Sequence, residues 1–65
     1  MKEKLISLMQ ETKMDNNTIL GAMDLLKTEE QMQQTIDYII EYKDIITNHQ
    51  LRQFLIKLTY EDESR

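Results

Sequence analysis

The sequence contains no cysteine, no proline and no tryptophan, and Gly21 is its only glycine. Without cysteine the chain has neither a disulfide framework nor a thiolate metal site, as is usual in a reducing compartment. Without proline, and with a single glycine, it has almost none of the residues from which tight β-hairpin turns are built. Helix is therefore the expected structure, in line with the abundant leucine, methionine, glutamine, glutamate and lysine.

Long hydrophobic runs are also missing. No apolar segment approaches the roughly 20 residues needed to span a bilayer, and the stretch from Leu5 to Met9 is too short for the core of a signal peptide. We therefore expect a cytoplasmic protein without a membrane segment. The 65 residues have room for one domain, which at this size buries only roughly 60% of its unfolded surface. Self-association would add stability.

Groups for catalysis and metal binding are equally scarce. His49 is the only histidine, and no carboxylate stands four residues before or after it to share a metal, so we interpret it as a solvent-exposed residue near a helix cap. The run Asp15-Asn16-Asn17 resembles the opening of a calcium loop, but leucines occupy loop positions six and twelve, where glycine and glutamate are required. We expect no enzyme, no cofactor and no metal site.

The spacing of apolar residues predicts an all-α fold, a small bundle of about four short helices. The predicted helices cover about residues 2–13, 17–27, 29–46 and 49–59. We assign residues 1–60 to a single helical domain. The acidic segment 61–65 has no apolar residue and is predicted to be a disordered tail.

Polar residues between the apolar stretches predict where the helices begin. Asn16 or Asn17 is expected to cap the second helix. Thr28 and Gln31 have the spacing of a capping box, in which each side chain accepts a hydrogen bond from the other residue's backbone N–H. The same spacing recurs in residues 47–50, which predicts a break between the third and fourth helices.

Several helices have more apolar residues than one buried face requires. The second helix has Leu20 and Leu25 on either side of its main apolar face, which predicts a central position. The third helix has two stripes, and the fourth has Ile56 and Tyr60 opposite its main stripe. The stripes of the third helix are Met32, Ile36, Ile39, Ile40 and Ile46, and Tyr38, Tyr42 and Ile45; the main stripe of the fourth is Leu51, Phe54, Leu55 and Leu58.

From Lys13 to Ile40 the sequence is similar to the ubiquitin-associated-like three-helix domains, which also occur at the front of bacterial translation elongation factor Ts. The residues that fit the family pattern are Leu25, Met32, Thr35, Ile36, Tyr38 and Ile39. The loop Met14-Asp15-Asn16 stands where the family has Met-Gly-Phe or a Thr-Gly pair, so no binding residue is carried over. The resemblance implies an alternative architecture, a three-helix core followed by a C-terminal helix.

The surplus of apolar residues indicates a small, non-catalytic interaction or regulatory domain that binds another protein or a second copy of itself. Aromatic and large apolar side chains dominate interface energetics, and the residues chosen on this basis are Tyr38, Tyr42, Ile45, Ile56 and Tyr60. This interpretation involves no membrane and no small-molecule substrate. The usage of isoleucine, lysine and asparagine is typical of a bacterial or phage protein.

Two alternatives remain open. The fourth helix could read DNA as in a helix-turn-helix regulator, because it carries amide and cationic side chains that suit base edges and phosphates. These residues are Asn48, Gln50, Arg52, Gln53 and Lys57. The net charge of −4 opposes binding to phosphate backbones. In the other alternative, the acidic side of the third helix docks a basic surface or mimics nucleic acid.

Overall fold

The computed structural model describes residues 1–63 as four helices and no strand. They are α1 (Lys2–Glu11), α2 (Asn16–Leu25), α3 (Glu29–Glu41) and α4 (Asn48–Glu63). The predicted small all-α bundle is confirmed. Within the described residues, none of these helices has both the length and the apolar character needed to cross a bilayer.

The core forms where α2 packs on α4 and α1 packs on α3, with α3 also touching α4. Its buried apolar side chains are contributed by all four helices and by the linkers that follow α1 and α2: Leu5, Met9, Met14, Ile19, Ala22, Leu26, Ile36, Ile39, Leu51 and Leu55. Because α4 supplies Leu51 and Leu55 to this core, it is an integral part of the bundle. The four-helix architecture therefore describes the chain better than a three-helix core with an appended helix.

The end of α1 explains why Met14 is buried. Lys13 has a φ of 63°, and its N–H donates to the Gln10 carbonyl while the Met14 N–H donates to the Met9 carbonyl. This is a Schellman motif, which turns the chain sharply and brings the following apolar side chain back onto the helix. Glycine is the usual residue at this left-handed position, but here the residue is a lysine. The sequence therefore gives no signal that α1 ends at Glu11, two residues before the predicted end.

The N-termini of α2 and α3 are both capped by side chains. For α2 the predicted cap is wrong: Asp15, rather than Asn16 or Asn17, accepts a hydrogen bond from the Thr18 N–H at 2.7 Å. An aspartate cap also suits the positive end of the helix dipole. For α3 the capping box of Thr28 and Gln31 is confirmed.

The break between α3 and α4 is real, but α3 ends five residues earlier than predicted. Tyr42 leaves helical geometry with φ −109° and ψ 21°, and its carbonyl accepts from the N–H groups of Ile45 and Ile46 in a turn. Thr47 then accepts from the Gln50 N–H at 3.1 Å at the start of α4. The turn places Ile46 against the core and leaves Ile45 69% exposed.

Two further expectations need correction. Leu20 is 67% exposed and Leu25 is 38% exposed, so α2 is not a central helix; it packs on α1 and α4 and faces solvent elsewhere.

The predicted domain boundary at residue 60 lies inside α4, which continues to Glu63. The prediction of a disordered tail falls partly on Ser64 and Arg65, which lie outside the described residues.

Candidate interaction surface

The structure distributes the five predicted partner-binding residues over different parts of the bundle. The Tyr38 ring stacks on Phe54, with centroids 4.1 Å apart and an angle of 8° between the rings, and it also contacts Tyr42 at 4.8 Å. The Tyr38 hydroxyl accepts a hydrogen bond from Gln50 Nε2 at 2.9 Å. Tyr38 and Tyr42 are half-buried, so much of their apolar surface is already used within the monomer.

Ile56 and Tyr60 are in a different situation. They lie one turn apart on α4 and are 55% and 71% exposed. Large apolar side chains exposed to this extent, close together and on a rigid helix, are typical of a protein–protein contact. Ile45 is exposed as well, but it lies in the turn before α4 rather than on this side of the helix.

The five residues of the nucleic-acid alternative divide in a similar way. Asn48 Oδ1 accepts a hydrogen bond from the Asp15 N–H at 2.9 Å, Gln50 binds the Tyr38 hydroxyl, and Arg52 Nε donates to Thr18 Oγ1 at 3.0 Å. Gln53 and Lys57 are exposed. Three of the side chains proposed to read bases therefore have partners inside the monomer.

These contacts form a polar cluster that joins the α1–α2 linker to the first turns of α4. We call Asp15, Thr18, Asn48 and Arg52 the polar clasp. Arg52 Nη2 lies 3.5 Å from Asp15 Oδ1, and both side chains are half exposed. The pKa of Asp15 lies below its ordinary value, chiefly because Thr18 donates hydrogen bonds to the carboxylate and also because the Arg52 guanidinium is nearby. Together with the buried Leu51 and Leu55, the clasp helps to fix the orientation of α4 against α2.

The clasp makes a testable contribution to the pH dependence of stability. Since the pKa of Asp15 is lowered by folding, its contribution is complete above the ordinary value of 3.8 and is lost as the pH falls through the lower value of the folded state. We expect Asp15→Asn, which keeps a capping side chain, to lose less stability than the natural chain as the pH falls below 3.8. Urea denaturation at several pH values measures this difference.

Asp24→Asn is the matched control, because Asp24 is an exposed carboxylate on the same helix and outside the clasp. Its acid dependence should follow that of the natural chain. If Asp15→Asn and the natural chain lost stability in parallel, the carboxylate would not contribute in the way that the clasp requires.

Beside the clasp, α2 and α4 enclose an apolar groove of about 220 Å³. We call this groove, together with the neighbouring Tyr60, the α2/α4 face. The residues that line the groove are Asn17, Thr18, Gly21, Ala22, Leu25, Arg52, Leu55 and Ile56. Arg52 is the only charged residue among them, and it is paired with Asp15. The groove is therefore apolar and close to neutral. Sequence reasoning found Ile56 and Tyr60 but missed Gly21 and Leu25, because only the packing of α2 on α4 brings them together.

A second groove, of about 500 Å³, lies on the other side of α4, between α4 and α3. We call it the α3/α4 groove. It is lined by Gln34, Asp37, Tyr38, Glu41, Phe54, Lys57, Leu58 and Glu61. His49 is exposed beside it, at an adjoining depression that shares Tyr38 and Phe54. Within the described part of the chain, no group of three or more histidine or carboxylate side chains could hold a metal ion.

The chain matches no protein-family model, curated protein or solved structure. The resemblance of residues 13–40 to ubiquitin-associated-like domains gains no support from this comparison. A function can therefore be proposed only from the surfaces just described.

Proposed function

We propose that this protein is a non-catalytic interaction domain that forms a homodimer through the α2/α4 face. The observation that carries the proposal is Gly21, the chain's only glycine, which lies in the middle of α2 and lines the groove beside Ile56. Nothing in the described part of the monomer requires a glycine at this position, whereas a second helix packed on the groove would.

Glycine in the interior of a helix costs about 1 kcal/mol relative to alanine. Gly21 does not have a positive φ, so its backbone does not require glycine. A Cβ atom built on it would meet nothing within 4 Å, so packing within the monomer does not require glycine either. A missing side chain allows another backbone or a large side chain to approach closely, which is what an interface across this groove would use.

The distribution of charge also supports self-association at this face. Each chain carries a net charge of −4, so two copies repel each other at long range and can approach most easily where no unpaired acid is present. The α2/α4 groove meets this condition, because Arg52, the only charged residue among the described ones that line it, is already paired with Asp15.

Symmetry explains how one face could serve both partners. In a two-fold dimer each protomer offers the same patch, so a projecting residue and a recess on that patch can fit each other twice. The exposed Ile56 is the projecting residue and the open position at Gly21 is the recess. Tyr60, one turn further along α4, would extend the contact with an aromatic ring.

Sedimentation equilibrium over a roughly hundredfold range of protein concentration tests the proposal. The apparent mass should rise from the monomer value of 7.8 kDa toward twice that value. A mass that stays at the monomer value throughout would rule out the dimer. We place the dimer in the cytoplasm, a compartment consistent with the absence of cysteine, and in a bacterium or phage.

Gly21→Ala separates the two effects of this glycine. At concentrations where the chain is monomeric, we expect the free energy of unfolding to rise by about 0.5 to 1 kcal/mol, because alanine favours helix and its methyl group meets no neighbour. The dimer should become weaker, because the methyl group occupies the recess. Urea denaturation at low concentration and sedimentation equilibrium measure the two quantities.

Gln10→Ala is a useful control, since Gln10 is exposed on α1 and lies away from the α2/α4 groove. It should leave the dimer unchanged. An equally strong or stronger dimer for Gly21→Ala would show that the glycine does not serve an interface.

DNA binding through α4 is the second candidate, and the geometry supports it less. Asn48, Gln50 and Arg52 are held by hydrogen bonds within the monomer, which leaves Gln53 and Lys57 as the exposed candidates on α4. Two such residues on a chain of net charge −4 are few for phosphate binding. Retention on heparin that falls as salt is raised would favour it. Absence of retention even at ~20 mM salt would rule DNA binding out.

A further inference from the structure

The α3/α4 groove combines an apolar floor with a largely acidic rim. Its floor consists of the stacked rings of Tyr38 and Phe54 together with Leu58, all of them half-buried and packed against the core. The floor is therefore rigid and apolar, and part of it remains accessible. This is the surface on which an apolar side chain of a partner can settle without rearranging the bundle.

The rim has a clear excess of negative charge. Asp37 and Glu41 stand on the α3 side, and Glu61 and Lys57 stand on the α4 side. Among the described residues that line the groove, carboxylates outnumber the single ammonium group. Asp37 and Glu41 are exposed, four residues apart on one side of α3, so they form a row parallel to the floor.

The dimensions of the groove favour a helix as its occupant. The lining residues of α3 run from Gln34 to Glu41, a length of roughly 10 Å at 1.5 Å per residue. About two turns of a partner helix fit along this length, with apolar side chains three or four residues apart directed at the floor. Basic side chains next to that apolar stripe would lie against the acidic rim.

We propose that the α3/α4 groove docks a basic amphipathic helix of another protein. This site is separate from the α2/α4 face, because its residues Phe54, Lys57, Leu58 and Glu61 form a different side of α4 from Arg52 and Ile56. A dimer built on the α2/α4 face would thus present two such grooves. The groove itself needs no dimer.

Charge decides between the possible occupants. A second copy of this chain, with its net charge of −4, would bring acid toward an acidic rim, and a nucleic acid would do the same with phosphates. A helix that carries lysine or arginine beside its apolar stripe complements both the floor and the rim. The selectivity of the groove should therefore be for basic over acidic helices with the same apolar face.

Fluorescence anisotropy with two synthetic peptides tests this selectivity on the full chain. Both peptides are amphipathic helices of about 14 residues with leucine on one side. The first peptide carries lysine at all the remaining positions, and the second carries glutamate at those positions. We expect the lysine peptide to bind and the glutamate peptide not to bind. Binding of the lysine peptide should weaken as salt is raised from ~20 to ~200 mM.

Two double variants locate the binding site. Asp37→Asn with Glu41→Gln removes two charges from the rim, and we expect it to weaken binding of the lysine peptide about tenfold. Glu3→Gln with Asp24→Asn changes the net charge equally at exposed positions on α1 and α2, and it should change binding less than twofold. Ile56→Asp, on the α2/α4 face, should bind the peptide as the natural chain does, whether or not the dimer forms.

Three results would overturn the proposal. Equal losses in the two double variants would mean that the peptide responds only to net charge. Equal binding of the two peptides would mean that the rim does not select for charge, and absence of binding would mean that the groove takes no such helix. None of these results bears on the homodimer, which is tested by its mass.

Discussion

The Ile56→Asp variant is expected to fold normally and to remain monomeric at concentrations where the natural chain forms a dimer. Ile56 is 55% exposed, so the folded monomer can keep an aspartate at this position in water. In the dimer the same carboxylate would be buried against an apolar groove without a partner, which costs several kcal/mol. The dissociation constant should rise by a factor of about 100 or more.

Ile45→Asp is the matched control for this variant. Both substitutions replace an exposed isoleucine by aspartate, but Ile45 lies in the turn between α3 and α4, outside the α2/α4 face. Sedimentation equilibrium should show a dimer for Ile45→Asp and a monomer for Ile56→Asp, with similar helix content by circular dichroism. A dimer retained by Ile56→Asp, or lost equally in both variants, would place the interface elsewhere.

The Leu51→Ala variant is expected to lose about 3 kcal/mol of stability. Leu51 is completely buried in the first turns of α4, and a cavity at this position would loosen the packing of α4 on the rest of the bundle. A domain of this length has a total stability of roughly 3 to 10 kcal/mol, so a large part of it depends on this residue. The melting temperature should fall by about 12 to 24 °C.

Ile56→Ala provides the comparison on the same helix. Because Ile56 is largely exposed in the monomer, its truncation should change the unfolding free energy by less than about 0.5 kcal/mol. Both measurements are made at low concentration, since dimerisation would otherwise add to the apparent stability. A loss of less than about 1 kcal/mol for Leu51→Ala would show that the orientation of α4 differs from the one described.

The fold could be predicted from the sequence to the extent that local interactions determine it. Thr28 and Gln31 lie three residues apart, and their capping box was predictable from that spacing alone. The apolar spacing within each helix similarly predicted the four helices. The end of α1 was not predictable, because the left-handed position of its Schellman motif is occupied by Lys13, a residue that gives no such signal.

The candidate site was less predictable because it depends on contacts between residues far apart in the chain. Asp15 and Asn48 are 33 residues apart, and their hydrogen bond helps to fix the side of α4 that faces α2. The orientation of α4 leaves Ile56 exposed and places Phe54 against Tyr38 of α3, where the two rings stack. On a helical projection Tyr38 lies on the second apolar stripe of the third helix and Ile56 lies opposite the main stripe of the fourth, so sequence reasoning gave them the same role.

Residue-resolved NMR during dilution tests the homodimer at the α2/α4 face most directly. On diluting uniformly ¹⁵N-labelled protein about a hundredfold, we expect the amide signals of Gly21, Leu25, Ile56 and Tyr60 to shift together toward monomer positions. The signals of Tyr42 and Gln53, which do not line the α2/α4 groove, should stay in place. Signals that do not change with concentration, or changes confined to α3 and the turn after it, would contradict the proposed interface.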